Sequence, residues 1–181
     1  SWKSHTSFTI WEESEAPVEF QIGNISDNSL IRGHFLNFEW ASRCLQFGFP
    51  KDLKNIFNPK LVDGQFTSHQ INVHVRLGDY LSNSETFPRV PEIYYLESIE
   101  KFRVNNEKIY LFTDDPKNCK ELYPELYRIS SLVITKRGTK ALEIMSLLSS
   151  GAKIIGANST FSAWASWFSE ADTICTPIPF L

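Results

Sequence analysis

Short apolar segments alternate with amphipathic segments along residues 70–181 of the chain, a pattern typical of strands alternating with helices. We predict strands at 71–76, 108–115, 128–135, 152–157 and 171–176. The segments 91–105, 116–126, 139–150 and 159–170 have helical spacing, and Pro124 interrupts the second of them. This alternation favours an α/β fold, namely a Rossmann-like, doubly wound and mainly parallel sheet with helices on both faces.

Residues 1–69 lack this alternation, and we predict an N-terminal helical extension that precedes the sheet domain at 70–181. Within the extension, 18–23 is interpreted as a strand, 33–50 as an aromatic-rich helix and 51–57 as a further helical turn. Aromatic side chains at helical spacing usually pack inward, so they are interpreted as core.

Composition narrows the class of protein. With 42% hydrophobic and 22% charged residues, the 181-residue chain resembles an ordinary globular protein. Its net charge of -3 gives no general attraction to nucleic acid, so an anionic ligand must be held by a few placed groups. No segment approaches ~18 consecutive apolar residues, so no transmembrane segment is predicted. Cys44, Cys119 and Cys175 form neither a CxxC nor a zinc pattern, which favours free thiols in a reducing compartment.

Polar side chains line one face of the first predicted strand of the sheet. These side chains are Asn72, His74 and Arg76, which alternate with apolar residues. Burying polar groups costs free energy unless they have hydrogen-bond or charge partners. Arg76 stands at the carboxyl end of the strand, where open parallel sheets bind ligands, and a guanidinium can hold a phosphate through two parallel bonds. The alternative is an Arg76–Asp79 ion pair that organises the turn, with His74 as an ordinary core residue.

A hydroxyl-rich segment follows the fourth predicted strand and opens a helix. It consists of Asn158, Ser159, Thr160, Phe161 and Ser162. Free N–H groups and the positive dipole end at a helix start favour anions, so this segment could hold a diphosphate without a glycine loop. It could equally be an ordinary helix cap.

Thr113, Asp114 and Asp115 end the second predicted strand of the sheet. The two carboxylates could bind a metal, a ribose or a sugar hydroxyl, or they could cap the helix that begins at Pro116. Together with the arginine and the hydroxyl-rich helix start, they share one predicted sheet edge, which suits a nucleotide diphosphate.

Three motifs now allow a family to be named. In chain order they are His-Val-Arg-Leu-Gly-Asp-Tyr at 74–80, Phe-Thr-Asp-Asp at 112–115 and Ala-Asn-Ser-Thr-Phe-Ser-Ala-Trp-Ala-Ser-Trp at 157–167. They closely resemble the alpha-1,2-fucosyltransferases of glycosyltransferase family 11, and the resemblance extends from about residue 30 to 180.

The resemblance implies a GT-B fold whose carboxyl-terminal Rossmann-like domain binds the nucleotide sugar. It implies transfer of L-fucose from GDP-fucose to a glycan acceptor in alpha-1,2 linkage with inversion, with no metal or other cofactor required. By the same resemblance, Arg76 would contact the pyrophosphate and stabilise the leaving GDP, and His74 would hold the nucleotide or sugar. Ser159, Thr160 and Phe161 would line the phosphate and nucleoside site. The expected location is cytoplasmic or membrane-peripheral, or the Golgi lumen in a eukaryote.

The sequence also departs from the family pattern. It has no glycine-rich Gly-Gly-x-Gly-Asn-Gln segment, so we expect a donor-binding part without an N-terminal acceptor domain. Ala141 stands where the family usually has an acidic residue. These departures keep open a degenerate nucleotide-sugar-binding module without transferase activity, or an interaction domain that kept only the fold. The general base is open among Asp79, Asp114, Asp115 and a residue of an acceptor-side part outside this chain, with Asp79 grouped with the catalytic pair His74 and Arg76.

Overall fold

The structure is a computed structural model of the chain, and it describes residues 9–12, 29–32, 69–85, 87–135 and 141–177. The chain divides into two compact units, Ser1–Phe49 and Pro50–Leu181. The predicted division into an extension at 1–69 and a nucleotide-sugar-binding domain at 70–181 stays a prediction.

Two short strands are described in the first unit. β1 (Thr9–Glu12) pairs in parallel with β2 (Ser29–Arg32), with Thr9 opposite Ser29. The sequence pattern did not predict them, because four residues are too few to show a period among polar neighbours. The strand predicted at 18–23 and the helical segments predicted at 33–50 and 51–57 lie outside the described residues.

The second unit alternates strands with helices along the chain. Its elements are β3 (Gln70–Val75), α1 (Glu92–Phe102), β4 (Lys108–Thr113), α2 (Pro116–Leu122), α3 (Pro124–Ile129), β5 (Leu132–Thr135), α4 (Ala141–Ser149), β6 (Lys153–Ile155), α5 (Thr160–Phe168) and β7 (Thr173–Cys175). A 3-10 turn at Gly78–Leu81 follows β3. Among the described residues, no helix is long and apolar enough to cross a membrane.

Most predicted element ends differ from the observed ones by one to three residues, and two differences change the elements themselves. Pro124 divides the predicted helix at 116–126 into α2 and α3, since a proline cannot continue a helix but suits the first turn of a new one. The strand predicted at 128–135 is wrong in its first residues, because α3 runs to Ile129. The hydroxyl of Ser130 then donates to the carbonyl of Leu126 at 2.7 Å, and β5 begins at Leu132.

The five strands described in the second unit are parallel, in the order β5-β4-β3-β6-β7. In this sheet β3 is the central strand. The chain then adds β4 and β5 on one side of β3, and afterwards β6 and β7 on its other side. The strand order therefore reverses between β3 and β6, which makes this pair the topological switch point where doubly wound sheets bind ligands. The predicted Rossmann-like, doubly wound α/β fold is confirmed.

Each face of the sheet carries its own core. On one face, Ile71, Val73 and Val75 of β3 pack in a cluster with residues of α1, α2 and α3. On the other face, Phe112 of β4 and Ile154 of β6 pack in a cluster with residues of α4 and α5. The helices thus cover both faces, as a parallel sheet requires.

The polar side chains of β3 are satisfied by the helical layer of the second face. The side-chain amide of Asn72 donates to the carbonyls of Leu147 and Leu148 at 2.9 and 3.0 Å, and so occupies backbone acceptors at the end of α4. A Cβ atom on Gly151 would lie 2.7 Å from that amide, so the glycine makes this contact possible. The polar face predicted for this strand therefore anchors α4.

Candidate functional site

Arg76 follows β3 directly, at the switch point of the sheet. One guanidinium nitrogen lies 2.6 Å from Asp79 Oδ1, and another lies 2.6 Å from Asp114 Oδ2. The arginine side chain keeps 33% exposure, and its guanidinium lies 5.7 Å from the centre of the Tyr80 ring. The ion pair with Asp79 that the alternative interpretation predicted is present, but Arg76 is shared with a second carboxylate.

Asp114 is the inner partner of Arg76, with a side chain only 17% exposed. Its Oδ1 accepts a hydrogen bond from the backbone N–H of Leu77 at 2.9 Å, while Oδ2 pairs with Arg76. A Cβ atom on Gly78 would lie 2.5 Å from Oδ2, closer than real Cβ atoms approach. Both carboxylate oxygens are therefore engaged, and the absence of a side chain at Gly78 leaves the space that this arrangement needs.

The other two candidate carboxylates differ in their surroundings. Asp115 caps α2, accepting from the backbone and side-chain amides of Asn118. These hydrogen bonds lower the pKa of Asp115 and occupy both its oxygens, as the capping alternative predicted. Asp79 is 56% exposed, and in the described part of the chain only its Oδ1 has a side-chain partner. Asp79 therefore keeps an oxygen available for other chemistry.

The segment after β6 forms the opposite side of the switch point. Ser159 is the N-cap of α5, and its hydroxyl accepts from the backbone N–H of Phe161 at 3.2 Å. The hydroxyl of the buried Tyr80 donates to the carbonyl of Asn158 at 2.8 Å, which links the loop after β3 to the loop after β6. Thr160 begins the helix. Asn158 to Phe161 thus combine an ordinary cap with a helix start at the ligand-binding edge.

His74 lies in β3 beneath these loops, and 5% of its surface is exposed. Its Nδ1 lies 2.6 Å from the hydroxyl oxygen of Ser162, and its ring centre lies 5.4 Å from that of Phe161. Burial lowers the pKa of His74 from 6.5 to about 4; Asp114 opposes this shift and Arg76 adds to it. The imidazole is therefore neutral near pH 7.

The buried His74 is expected to make the fold sensitive to acid. Because its pKa is about 4 in the folded chain and 6.5 as the ordinary value, the unfolded chain takes up the proton first as pH falls. The contribution of His74 to the free energy of unfolding is fully present above pH 6.5 and is lost as pH falls through about 4. This contribution amounts to roughly 3 kcal/mol. Urea unfolding of wild type and His74→Gln at several pH values checks this.

The free energy of unfolding of His74→Gln should fall less steeply than that of wild type between pH 6.5 and 4. Two parallel curves over this range would contradict the prediction, whatever the offset between them. The quantity compared is the difference in the free energy of unfolding between the two proteins at each pH. Carboxylates present in both proteins contribute equally to the two curves, so their titration cancels in this difference.

The structure brings five of the predicted residues into two groups. Arg76, Asp79 and Asp114 form one group by ion pairing, and His74 contacts Phe161 of α5 in the other. Asp115 points into its own helix cap instead. Their roles toward a ligand stay predictions. Among the described residues, no group of three or more His, Cys, Asp or Glu side chains could hold a metal ion.

Sequence reasoning missed three residues that build this site. Tyr80 links the two loops, Ser162 contacts His74, and Gly78 leaves space for the carboxylate of Asp114. Tyr80 and Gly78 stood inside the first motif without a role. Ser162 stood at the end of the hydroxyl-rich segment 158–162, likewise without a role of its own.

The fold and these contacts define a Rossmann-like α/β protein with an arginine and a helix start at the switch point. Residues 52–179 match the family described as Glycosyl transferase family 11. The chain belongs to this family, and the family predicted from the three motifs is confirmed.

Two individual proteins are similar to the chain. The alpha-1,2-colitosyltransferase of Escherichia coli is 32% identical over 167 residues, which cover 84% of this chain and 57% of that protein. The chain therefore spans a little over half the length of this curated relative. The solved structure of POFUT1 in complex with GDP is similar with a TM-score of 0.45 and 10% identity, over 70% of this chain and 46% of that one.

Proposed function

We propose that this chain is the donor-binding part of a glycosyltransferase that transfers L-fucose from GDP-fucose to a glycan acceptor, in alpha-1,2 linkage with inversion. The observation that carries the proposal is Arg76 at the carboxyl end of β3, beside the switch point, in a chain whose residues 52–179 match family 11. The donor, the linkage and the acceptor class come from the family resemblance.

The chemistry requires stabilisation of the charge that builds on GDP as the glycosidic bond breaks. A guanidinium does this well, because its N–H groups strengthen their bonds as oxygen becomes more negative. In the structure Arg76 is engaged by Asp79 and Asp114. The exposed pair with Asp79 contributes only about 0–1 kcal/mol, so a diphosphate can replace it, while Asp114, whose side chain is 17% exposed, keeps the guanidinium oriented.

An inverting transfer also needs a group that takes the proton of the attacking acceptor hydroxyl. We assign this role to Asp79, because Asp114 and Asp115 use both oxygens elsewhere, whereas Asp79 has an oxygen without a side-chain partner in the described part of the chain. In this proposal, a diphosphate that takes over Arg76 frees the carboxylate of Asp79 to accept the proton of the acceptor hydroxyl.

Asp79→Asn is expected to lower the rate of transfer by about 10²- to 10⁴-fold, the range for loss of a general base. GDP affinity should stay the same or rise slightly, since the change removes a negative charge near the diphosphate site. Steady-state transfer kinetics and calorimetric GDP titration measure the two effects. Glu125→Gln is the matched control, because Glu125 is an exposed acid paired with Arg128 on α3. A normal kcat in Asp79→Asn would remove Asp79 from the role.

A second donor deserves a direct comparison because the E. coli relative is a colitosyltransferase. Colitose is L-fucose without its 3-hydroxyl, so GDP-fucose and GDP-colitose differ at a single oxygen. A site that hydrogen-bonds the 3-hydroxyl would discriminate between the two by leaving its own polar group unpaired. Transfer assays with both donors decide which sugar is used.

Calorimetric titration with GDP, UDP, GDP-fucose and GDP-mannose tests the proposal as a whole. We expect binding of GDP and GDP-fucose and none of UDP. Failure to bind any nucleotide would overturn the proposal. Binding without transfer by the full-length protein would favour the degenerate nucleotide-sugar-binding module, for which Ala141 at the start of α4 is the observation. We also propose a cytoplasmic location, in keeping with the free thiols of Cys119 and Cys175.

A further inference from the structure

Ser162 connects the two sides of the switch point. It is fully buried in α5, and its hydroxyl oxygen accepts a hydrogen bond from the backbone N–H of Ala157 at 2.9 Å. The same oxygen lies 2.6 Å from Nδ1 of His74 in β3. One hydroxyl therefore joins β3, α5 and the first loop residues after β6.

The hydrogen-bond partners of Ser162 determine where its proton lies. A serine hydroxyl has a single proton to donate, and the Ala157 N–H is itself a donor. Ser149 of α4, for comparison, gives its proton to the carbonyl of Met145 in the preceding turn at 2.8 Å. Ser162 has no such bond among the described residues, so its proton goes to His74 Nδ1. The neutral imidazole then carries its own proton on Nε2.

The close approach of α5 to β6 makes this arrangement possible. A Cβ atom on Gly156 would lie 3.2 Å from Cβ of Ser162, so a larger residue at this position would push the helix outward. The other ring nitrogen of His74, Nε2, has no hydrogen-bond partner in the described part of the chain. The charged groups that act on the ring are Asp114 and Arg76, the two residues that form the ion pair of the candidate site.

We infer that Ser162 is a positioning residue that holds His74 as a neutral imidazole with its proton on Nε2, so that His74 donates a hydrogen bond to an oxygen of the nucleotide-sugar donor. This inference rests on the proposed function for the identity of the ligand. His74 in this state is a donor of fixed direction and does not act as a base. Ser162 acts through His74 and does not itself touch the ligand.

Ser166 offers a matched control. It lies one helical turn further along α5 and is also buried, but its hydroxyl has no hydrogen-bond partner in the described part of the chain. Ser162→Ala and Ser166→Ala therefore remove the same atom from neighbouring turns of the same helix. Only the first removes a contact with His74.

The experiment combines nitrogen-15 NMR of the histidine rings with calorimetric GDP titration, on wild type and both alanine variants. Wild type and Ser166→Ala should show unprotonated Nδ1 and protonated Nε2 at His74 before any ligand is added. Ser162→Ala should show both tautomers and should bind GDP about tenfold more weakly, the loss expected for one misdirected hydrogen bond. The ring signals report the tautomer directly, which a general loss of stability would not change.

Protonated Nδ1 in wild type would overturn the inference, and so would an unchanged tautomer and GDP affinity in Ser162→Ala. If wild type binds no GDP while the tautomer still depends on Ser162, the proposed function is overturned and the positioning of His74 stands. If Ser162→Ala fails to fold, the ring signals of wild type still decide the tautomer.

Discussion

Arg76→Ala is expected to weaken GDP binding by at least about tenfold, because it removes charge-assisted hydrogen bonds of roughly 1.5–3 kcal/mol each. Transfer should fall further, by about 10²- to 10³-fold, the usual loss when a donor to a developing negative charge is removed. The variant also leaves the carboxylate of Asp114 without its partner at 2.6 Å, which adds repulsion toward the diphosphate. Calorimetry and transfer kinetics measure the two effects.

Two further variants make this result specific. Arg76→Lys keeps the charge but loses the planar fork, so its affinity should lie between wild type and Arg76→Ala. Arg128→Ala serves as the control, because Arg128 is exposed and pairs only with Glu125 on α3 within the described residues. Equal GDP affinity in Arg76→Ala and wild type would show that Arg76 is only an organiser of the turn.

The second large effect is expected from Gly78→Ala, a change of one methyl group. The new Cβ would lie 2.5 Å from Asp114 Oδ2, so the carboxylate must move away from both Arg76 and the Leu77 N–H. We expect GDP binding to weaken by about 10- to 100-fold through loss of hydrogen bonds to charged groups. Overpacking should also lower the free energy of unfolding by about 1–3 kcal/mol.

A double-mutant cycle with Asp114→Ala tests the physical reason for this effect. Removing the carboxylate removes the atom with which the new methyl group collides. Gly78→Ala combined with Asp114→Ala should therefore bind GDP as Asp114→Ala alone does, giving a large interaction energy between the two positions. Additive losses would mean that Gly78 acts by another route, for example through the backbone of the 3-10 turn.

The sequence predicted the strands and helices of the second unit well, because a buried parallel strand leaves a strong local signal. Ile71, Val73 and Val75 alternate with polar residues, and each flanking helix has its own apolar face. The start of the third strand of the sheet was the exception. There α3 continued to Ile129, because the helix that Pro124 initiates has no strong stop signal in the sequence.

The candidate site was predictable as a set of motifs but not as a set of contacts. The motifs named Arg76, His74 and the carboxylates, because those residue types at a strand end are unusual in a buried sheet. One interpretation predicted an ion pair between Arg76 and Asp79, and none predicted the second pair with Asp114 that the structure also has. Such a choice depends on distances between loops that are far apart in the chain.

By itself, the sequence determined the α/β class, the family and the residues that carry charge at the switch point. These follow from local periodicity and from ordered motifs, which need no knowledge of which elements touch. Only the tertiary structure decided that Asp114 is the inner partner of Arg76, that Asp115 is a helix cap and that Ser162 bonds to His74. The His74–Ser162 contact joins residues 88 positions apart, and it exists because β3 lies next to β6 and Gly156 lets α5 approach the sheet.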